Sequence, residues 1–155
     1  MTMTARRRGV PSIVPILNHI VRRLLRLGMP MGPNVLLTVR GRTSGQPHTF
    51  PIAIMEADGH RYVGSPYGEV NWVRNLRADG HAVVHHGRRS EPVIAMELDR
   101  AAAGAAYQAS LARFIVMRGG TTLLRRFYME VPAHPTPADL DALADTHPLF
   151  ELLPA

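Results

Sequence analysis

Glycine and hydroxyl residues around one arginine form a short segment that could bind an anion. The segment runs Gly41-Arg42-Thr43-Ser44-Gly45, and apolar, β-branched stretches lie on both sides of it, which predicts a connection between two strands. Glycine lets the backbone approach a ligand closely, and hydroxyls with free backbone N–H groups form anion-binding concavities. Arg42 adds a planar cation suited to phosphate or carboxylate. An ordinary exposed hairpin loop uses the same residue types, so the segment alone leaves both interpretations open.

A second segment, Gly64 to Arg77, has polar and aromatic side chains that suit a flat ring. It contains the only tryptophan of the chain, Trp72, followed three residues later by Asn75, so the two share a helix face. Ser65 and Tyr67 lie at the end of a predicted strand and can donate hydrogen bonds to a ligand carbonyl. The alternatives are a tryptophan that packs a helix onto the core and hydroxyls that satisfy a turn backbone.

Together the two segments resemble the deazaflavin-dependent nitroreductase family, whose members bind coenzyme F-420 on a split β-barrel. The resemblance covers about residues 35 to 98, and residues 148 to 154 look like the closing strand of that family. Its elements agree in order and spacing, which is more specific than any single short motif. The resemblance implies a mainly β fold with peripheral helices (α+β), an FMN-binding-like split β-barrel. The residues that match are the loop from Gly41 to Gly45, Thr49 with Pro51, Ser65, and Trp72 with Asn75 and Leu76.

The resemblance also implies which side chains contact the cofactor. The phosphate would lie against the backbone N–H groups of Thr43, Ser44 and Gly45 and the Arg42 guanidinium. Thr43 stands where lysine is common in the family, and His48 where a basic residue is common, so charge complementarity is reduced. The catalytic candidates are Ser65, Tyr67 and, by looser analogy, Tyr128. The residues expected to bind the cofactor are Arg42, Thr43, Ser44, Gly45, His48, Thr49, Pro51, Ser65, Tyr67, Trp72 and Asn75.

The expected activity is that of an F-420-dependent oxidoreductase, which passes hydride to an enone, a quinone or a nitro-type small molecule. The chemistry would be that of the cofactor, while the protein positions both partners. Two alternatives stay open. One is a non-catalytic binder of the deazaflavin or of an apolar ligand such as a fatty acid. The other is an oxidoreductase that uses FMN, because both cofactors carry a phosphate and a flat ring.

Composition narrows the function classes. The chain has 155 residues, which predicts a single domain, and a net charge of +6 that comes entirely from arginine. The arginines are dispersed without a recognition-helix or aromatic RNA-binding pattern, which argues against nucleic acid.

Cysteine is absent, and the adjacent His85 and His86 point to opposite faces of a strand, so no metal site is expected. A signal peptide and a membrane span are not indicated, which favours a cytoplasmic protein. Monomer and homodimer both fit.

The remaining pattern predicts the elements that position these residues. A basic amphipathic helix is expected over about 12 to 28, capped by Ser12, either covering a barrel opening or making weak peripheral contact with an anionic membrane. The barrel core is expected over about 34 to 98, with a tight hairpin at Asp58-Gly59 and a turn over 87–90. A last strand is expected at 149–153. Further helices are expected at 71–78, 100–117, 121–131 and 137–144, and the individual core strands at 34–40, 48–56, 61–65, 81–86 and 91–98.

Overall fold

The computed structural model describes residues 14–29, 31–116, 119–127 and 130–155. Within these residues, antiparallel strands close into a barrel in the order β1-β2-β3-β6-β5-β4, as the resemblance predicts. The strands are β1 (Asn34–Arg40), β2 (Pro47–Ala57), β3 (His60–Gly64), β4 (His81–His86), β5 (Arg89–Glu97) and β6 (Leu149–Pro154).

Alternation along the strands fills the barrel interior with β-branched and aliphatic side chains. On β1, Val35, Leu37 and Val39 are buried and belong to the inner cluster, which also contains Val63 of β3 and Phe150 of β6. Since successive side chains on a strand point to opposite faces, the residues between them face outward. The Asp58-Gly59 turn joins β2 to β3 with φ values of 51° and 81°. Positive φ at both positions is typical of the tight hairpin that the sequence predicts.

Helices close one end of the barrel and cover its outer surface. They are α1 (Val14–Arg26), α2 (Asn71–Asp79), α3 (Arg100–Val116), α4 (Gly120–Phe127) and α5 (Pro137–Ala142), with a 3-10 turn at Leu143–Asp145. Val73 and Leu76 of α2 are fully buried in the barrel cluster. Tyr107 and Leu111 of α3 form a second cluster with Leu140 of α5 on the outer face of the barrel wall.

Several sequence predictions are wrong in their boundaries, most of them by one or two residues. The turn expected over 87–90 is shorter, because Arg89 and Ser90 already pair with β4. The helix expected to reach Val131 does not, since Glu130 and Val131 are irregular and Val131 is buried. Pro132 explains this, because the residue before a proline is disfavoured in helical geometry. The last helix ends at Ala142 and continues as the 3-10 turn. The predicted Ser12 cap lies outside the described residues.

Strand β2 has a split role in the barrel wall. It pairs with β1 from Pro47 to Ala53, whereas it pairs with β3 only from Ile54 to Ala57. The first half of β2 therefore has one edge without a neighbouring strand, and the wall is open there. Exposed edges of this kind present unpaired backbone groups that can bind a ligand.

No helix among the described residues has the length and apolar character that crossing a bilayer would require.

Candidate active site

One end of the barrel collects the segments that the sequence analysis singled out. In an antiparallel barrel, the end of β1, the start of β2, the end of β3 and the start of β6 lie together, and α2 crosses this end. The Arg42 backbone N–H and its Nη1 donate to Oδ1 of Asn75, at 3.3 and 2.8 Å. Asn75 is 7% exposed, so this contact ties the β1–β2 loop to a buried group on α2. The two predicted segments are thus in direct contact.

The β1–β2 loop is tightly folded. The Gly41 amide donates to the Gln46 carbonyl and the Gly45 amide donates to the Gly41 carbonyl, both at 2.8 Å. A Cβ on Gly41 would lie 2.7 Å from Ser44 Oγ and 2.9 Å from His48 Nε2, so only glycine fits without a shift. The Gly45 N–H is thus used inside the loop, and the contact of Gly45 with a cofactor stays a prediction.

Other groups of the loop remain exposed to solvent. Thr43, Ser44 and His48 are exposed. Ser44 Oγ accepts a hydrogen bond from the Gln46 amide at 3.2 Å, which leaves its own hydroxyl proton free to point outward. Arg42 uses one guanidinium nitrogen on Asn75, and a guanidinium has further N–H donors. The loop can therefore donate hydrogen bonds to an anion.

Ser65 is the most unusual residue of this end. Its side chain is 0% exposed, and its Oγ has no hydrogen-bond partner among the residues that the structure describes. Its backbone N–H donates to the Pro148 carbonyl at 3.1 Å, which fixes the residue at the junction of β3 and β6. A buried hydroxyl without a partner is costly and is rarely kept without a reason. This orphaned group fits a ligand that completes its hydrogen bonding.

Trp72 packs against the open part of the wall. Its ring centroid lies 5.6 Å from that of Phe50 on β2 and 6.1 Å from that of Phe150 on β6. Trp72 thus joins the barrel core, as the packing alternative predicts, and remains partly exposed. Tyr67 is half-buried in the segment between β3 and α2. Burial raises the pKa of the Tyr67 phenol, so the phenol is a hydrogen-bond donor at neutral pH.

Thr49 and Pro51 lie apart from the loop, on the outer face of the first half of β2. They pair with Thr38 and Leu36 of β1. The hydroxyls of Thr49 and Thr38 are 2.7 Å apart, and the Thr49 carbonyl accepts from Arg22 Nη1 of α1 at 3.3 Å. The predicted set therefore wraps around the rim of β2, from the barrel end to the face beneath α1. Tyr128 lies outside the described residues.

Sequence reasoning missed His147 and Tyr107, which lie behind the Ser65 segment. Tyr107 is fully buried and donates from its Oη to the His147 carbonyl at 3.1 Å. Burial lowers the pKa of the His147 imidazole, and the hydrogen bond to the Leu143 carbonyl opposes this only in part. The only signal in the sequence was the position of His147 directly before the closing strand.

Comparison with known proteins agrees with this fold. Three solved structures share it. A protein described as a domain-swapped dimer is 16% identical over 91% of this chain and 99% of that one, with a TM-score of 0.53. A FAD-binding protein from Mesorhizobium loti is 16% identical over 88% of each chain, with a TM-score of 0.52, and a conserved hypothetical protein from Mycobacterium tuberculosis is 14% identical over 97% of this chain and 86% of that one, with a TM-score of 0.52. No curated protein sequence matches the chain.

A family model supplies the assignment that structural likeness alone does not. The model described as F420H2-dependent quinone reductase matches residues 19–135, which is most of the chain and includes the Arg42 loop, Ser65 and α2. This match favours the deazaflavin over FMN and an enzyme over a non-catalytic binder. The chain belongs to the F420H2-dependent quinone reductase family, and it is an F-420-dependent oxidoreductase of the split-barrel fold.

Proposed function

We propose that this protein reduces a quinone at the α2 end of the barrel, with the cofactor held along the rim of β2. The orphaned hydroxyl of Ser65 is the observation that carries the proposal, because it is a buried donor and acceptor in need of a partner. It lies where β3 ends and where the wall beside β2 is open. When bound, reduced F-420 supplies a hydride to the acceptor.

The side chains of the rim have separate tasks in this proposal. The exposed amides and hydroxyls of Thr43 and Ser44, with Arg42 and His48, hold the anionic part of the cofactor. Gly45 shapes the loop without donating from its N–H. Thr49, Pro51, Trp72 and Asn75 line the adjoining rim. Because Asn75 Oδ1 already accepts from Arg42, its main task is to orient that guanidinium.

Tyr67 is the residue to which we assign a hydrogen bond to the quinone oxygen. Its phenol is neutral at physiological pH, burial raises its pKa further, and a phenol can stabilise negative charge that develops on oxygen. Ser65 shares this end of the barrel, and we assign its hydroxyl to the cofactor. A quinone suits the site because α1 presents apolar side chains beside the same rim, with Ile16 66% and Ile20 54% exposed.

The experiment is a steady-state assay of reduced F-420 oxidation with a quinone, an enone and a nitroaromatic compound as acceptors. We expect the quinone to give the highest kcat/KM, and Tyr67→Phe to lower kcat while the Kd of F-420 stays unchanged. Tyr62→Phe is the matched control, because Tyr62 is a buried tyrosine of β3 in the outer cluster with α3. A higher kcat/KM for the enone or the nitro compound would reject the quinone, and an equal effect of both variants would reject Tyr67.

We also propose that α1 contacts an anionic membrane surface, from which an apolar quinone could be drawn. The helix exposes Ile16, Leu17 and Ile20, contains no acidic residue and has arginines at 22, 23 and 26. An apolar face beside cations is typical of helices that lie in the headgroup region. Ile20→Ser should weaken flotation with anionic vesicles, whereas Met96→Ser, at an exposed apolar position on β5, should not. Equal flotation of all variants would end this proposal.

A further inference from the structure

Four polar side chains form one hydrogen-bonded row across the outer face of the barrel, beneath α1. Ser90 Oγ on β5 lies 2.9 Å from Nδ1 of His85 on β4. On the other side of the ring, His85 Nε2 lies 2.8 Å from Oγ1 of Thr38 on β1. Thr38 Oγ1 in turn lies 2.7 Å from Oγ1 of Thr49 on β2. The row therefore runs from an exposed serine to a half-buried threonine in the part of β2 that β3 leaves unpaired.

Strand pairing fixes the heavy atoms of this row. His85 stands opposite Ser90 in the β4–β5 register, and Thr38 stands opposite Thr49 in the β1–β2 register. Strand β1 pairs with β2 along one edge and with β4 along the other, so Thr38 is held between the other members. Residues that face each other on one side of an antiparallel pair are close enough for their side chains to interact. The hydroxyl and ring protons are the part of the row that can rearrange.

The number of protons limits the row to two arrangements. A hydroxyl carries one proton, and a neutral imidazole carries one N–H and one acceptor nitrogen. Burial and, after it, the charge of Arg26 lower the pKa of His85, so the uncharged imidazole predominates at physiological pH. Three bonds join the four groups, and each bond uses one proton. One proton is left over, and it must lie at one end of the row or the other.

The tautomer of His85 decides which end keeps that proton. With the ring proton on Nε2, the ring donates to Thr38, Thr38 donates to Thr49, and the Thr49 proton is free to meet a ligand. With the ring proton on Nδ1, the ring donates to Ser90. Thr38 must then donate to Nε2 and Thr49 to Thr38, so Thr49 offers a ligand only an acceptor. Both arrangements make the same three bonds, and the free protein should therefore contain both.

We propose that His85 is a positioning residue for the cofactor, which acts through Thr38 on the direction of the Thr49 hydroxyl. The inference rests on the proposed function for its ligand, since an anionic cofactor along the rim of β2 requires hydrogen-bond donors. A ligand that accepts from Thr49 should hold the imidazole in the Nε2–H form. By linkage, that form should bind the ligand more tightly. The coupling between the ring and the hydroxyl belongs to the free protein.

The first test reads the tautomer of His85 from the ¹⁵N spectrum of protein labelled at histidine. The chain has 8 histidines, and His85→Gln identifies the signals of His85. We expect both tautomers in the free wild type and the Nε2–H form after saturation with F-420. Free Thr49→Val should shift toward the Nδ1–H form, because the Thr38 proton loses its acceptor. An unchanged spectrum in Thr49→Val would overturn the coupling, and the Nδ1–H form in the saturated protein would overturn the positioning role.

The second test is a fluorescence titration with F-420. Thr49→Val and Thr38→Val should each raise the Kd roughly threefold to tenfold, the loss of one hydrogen bond. The double variant should raise the Kd no further than Thr49→Val alone, because Thr38 acts through Thr49. His85→Phe should have a similar effect, and His85→Gln should restore affinity, since its amide can donate to Thr38. Thr122→Val, at an exposed position on α4, is the control and should leave the Kd unchanged.

The two readouts separate the failure of this inference from that of the proposed function. Additive effects of Thr38→Val and Thr49→Val would show that Thr38 acts independently of Thr49, and they would overturn the positioning role. The same conclusion follows if His85→Gln does not restore affinity, or if Thr122→Val weakens binding as much as Thr38→Val. If wild type does not bind F-420, the proposed function fails, and the spectrum of free Thr49→Val still decides whether His85 and Thr49 are coupled.

Discussion

Replacement of Ser65 by alanine should have opposite effects on stability and on cofactor affinity. In the free protein the hydroxyl is fully buried and has no partner among the described residues. Leaving such a group unpaired costs about 1–3 kcal/mol. Ser65→Ala removes the hydroxyl and keeps the backbone bond to Pro148, so the free protein should become more stable by about that amount. For a chain of this length, Tm should rise by about 2–12 °C.

The same substitution should weaken F-420 binding by a similar free energy. If the cofactor completes the hydrogen bonding of Ser65, binding relieves the penalty that the free protein carries. The alanine variant has no penalty to relieve, so about 1–3 kcal/mol of binding free energy is lost, and Kd rises roughly fivefold to 150-fold. The stability of the cofactor-saturated protein should therefore change little. Calorimetric unfolding with and without F-420, and a fluorescence titration, measure all three quantities.

Ser110→Ala is the matched control. Ser110 is also a buried serine, at 2% exposure, but its Oγ donates to the Ala106 carbonyl at 2.6 Å. Its replacement should not raise Tm, and it should leave the Kd of F-420 unchanged. The reasoning is refuted if Ser65→Ala lowers Tm, because the hydroxyl would then be satisfied in the free protein. It is equally refuted if Tm rises while Kd stays constant, because the cofactor would then not meet the hydroxyl.

Three further outcomes are expected at the loop and beneath α1. Gly41→Ala should destabilise the β1–β2 loop and lower F-420 affinity, since its Cβ would lie within 3 Å of two polar atoms; unchanged Tm and Kd would contradict this. Arg42→Ala should raise the Kd of F-420 by roughly tenfold or more, the loss of a charge-assisted bond, whereas Asn75→Ala should have a smaller effect and lower Tm. Burial and the nearby Arg26 lower the pKa of His85 in the folded protein below its ordinary 6.5. The free energy of unfolding should therefore decline as the pH falls from 6.5 toward the pKa of His85 in the folded protein. Urea titrations should show that His85→Gln flattens that decline.

Local sequence patterns were sufficient to predict the strands of the barrel. The strands Asn34–Arg40 and His81–His86 have the bounds that the sequence predicts, because β-branched runs end there at glycine. The secondary structure after α3 was harder to predict, since this region departs from the sequence pattern of the resembled family. The 3-10 turn and the irregular backbone at Val131 depend on what α3 and α5 bury together, and periodicity does not report this.

The contacts of the site depend on register and on distance along the chain. Arg42 and Asn75 are 33 positions apart, and Tyr107 and His147 are 40 apart. Residue types indicated that the first pair belonged to one site, but not that they bond directly. Nothing in the residue types indicated the second pair. A missing partner, as at Ser65, cannot be predicted from sequence, because it depends on the position of every neighbouring group.

The two halves of β2 explain how one small barrel can be both stable and open. From Ile54 to Ala57 the strand pairs with β3, and Ile54 is buried in the inner cluster beside Val63. From Pro47 to Ala53 it has only β1, and Thr49 holds its place through Thr38 and Arg22. Burial of Ile54 in the inner cluster can offset the exposed edge of the first half. Truncation of Val63 should therefore lower stability, whereas Thr49→Val should change F-420 binding with little loss of stability.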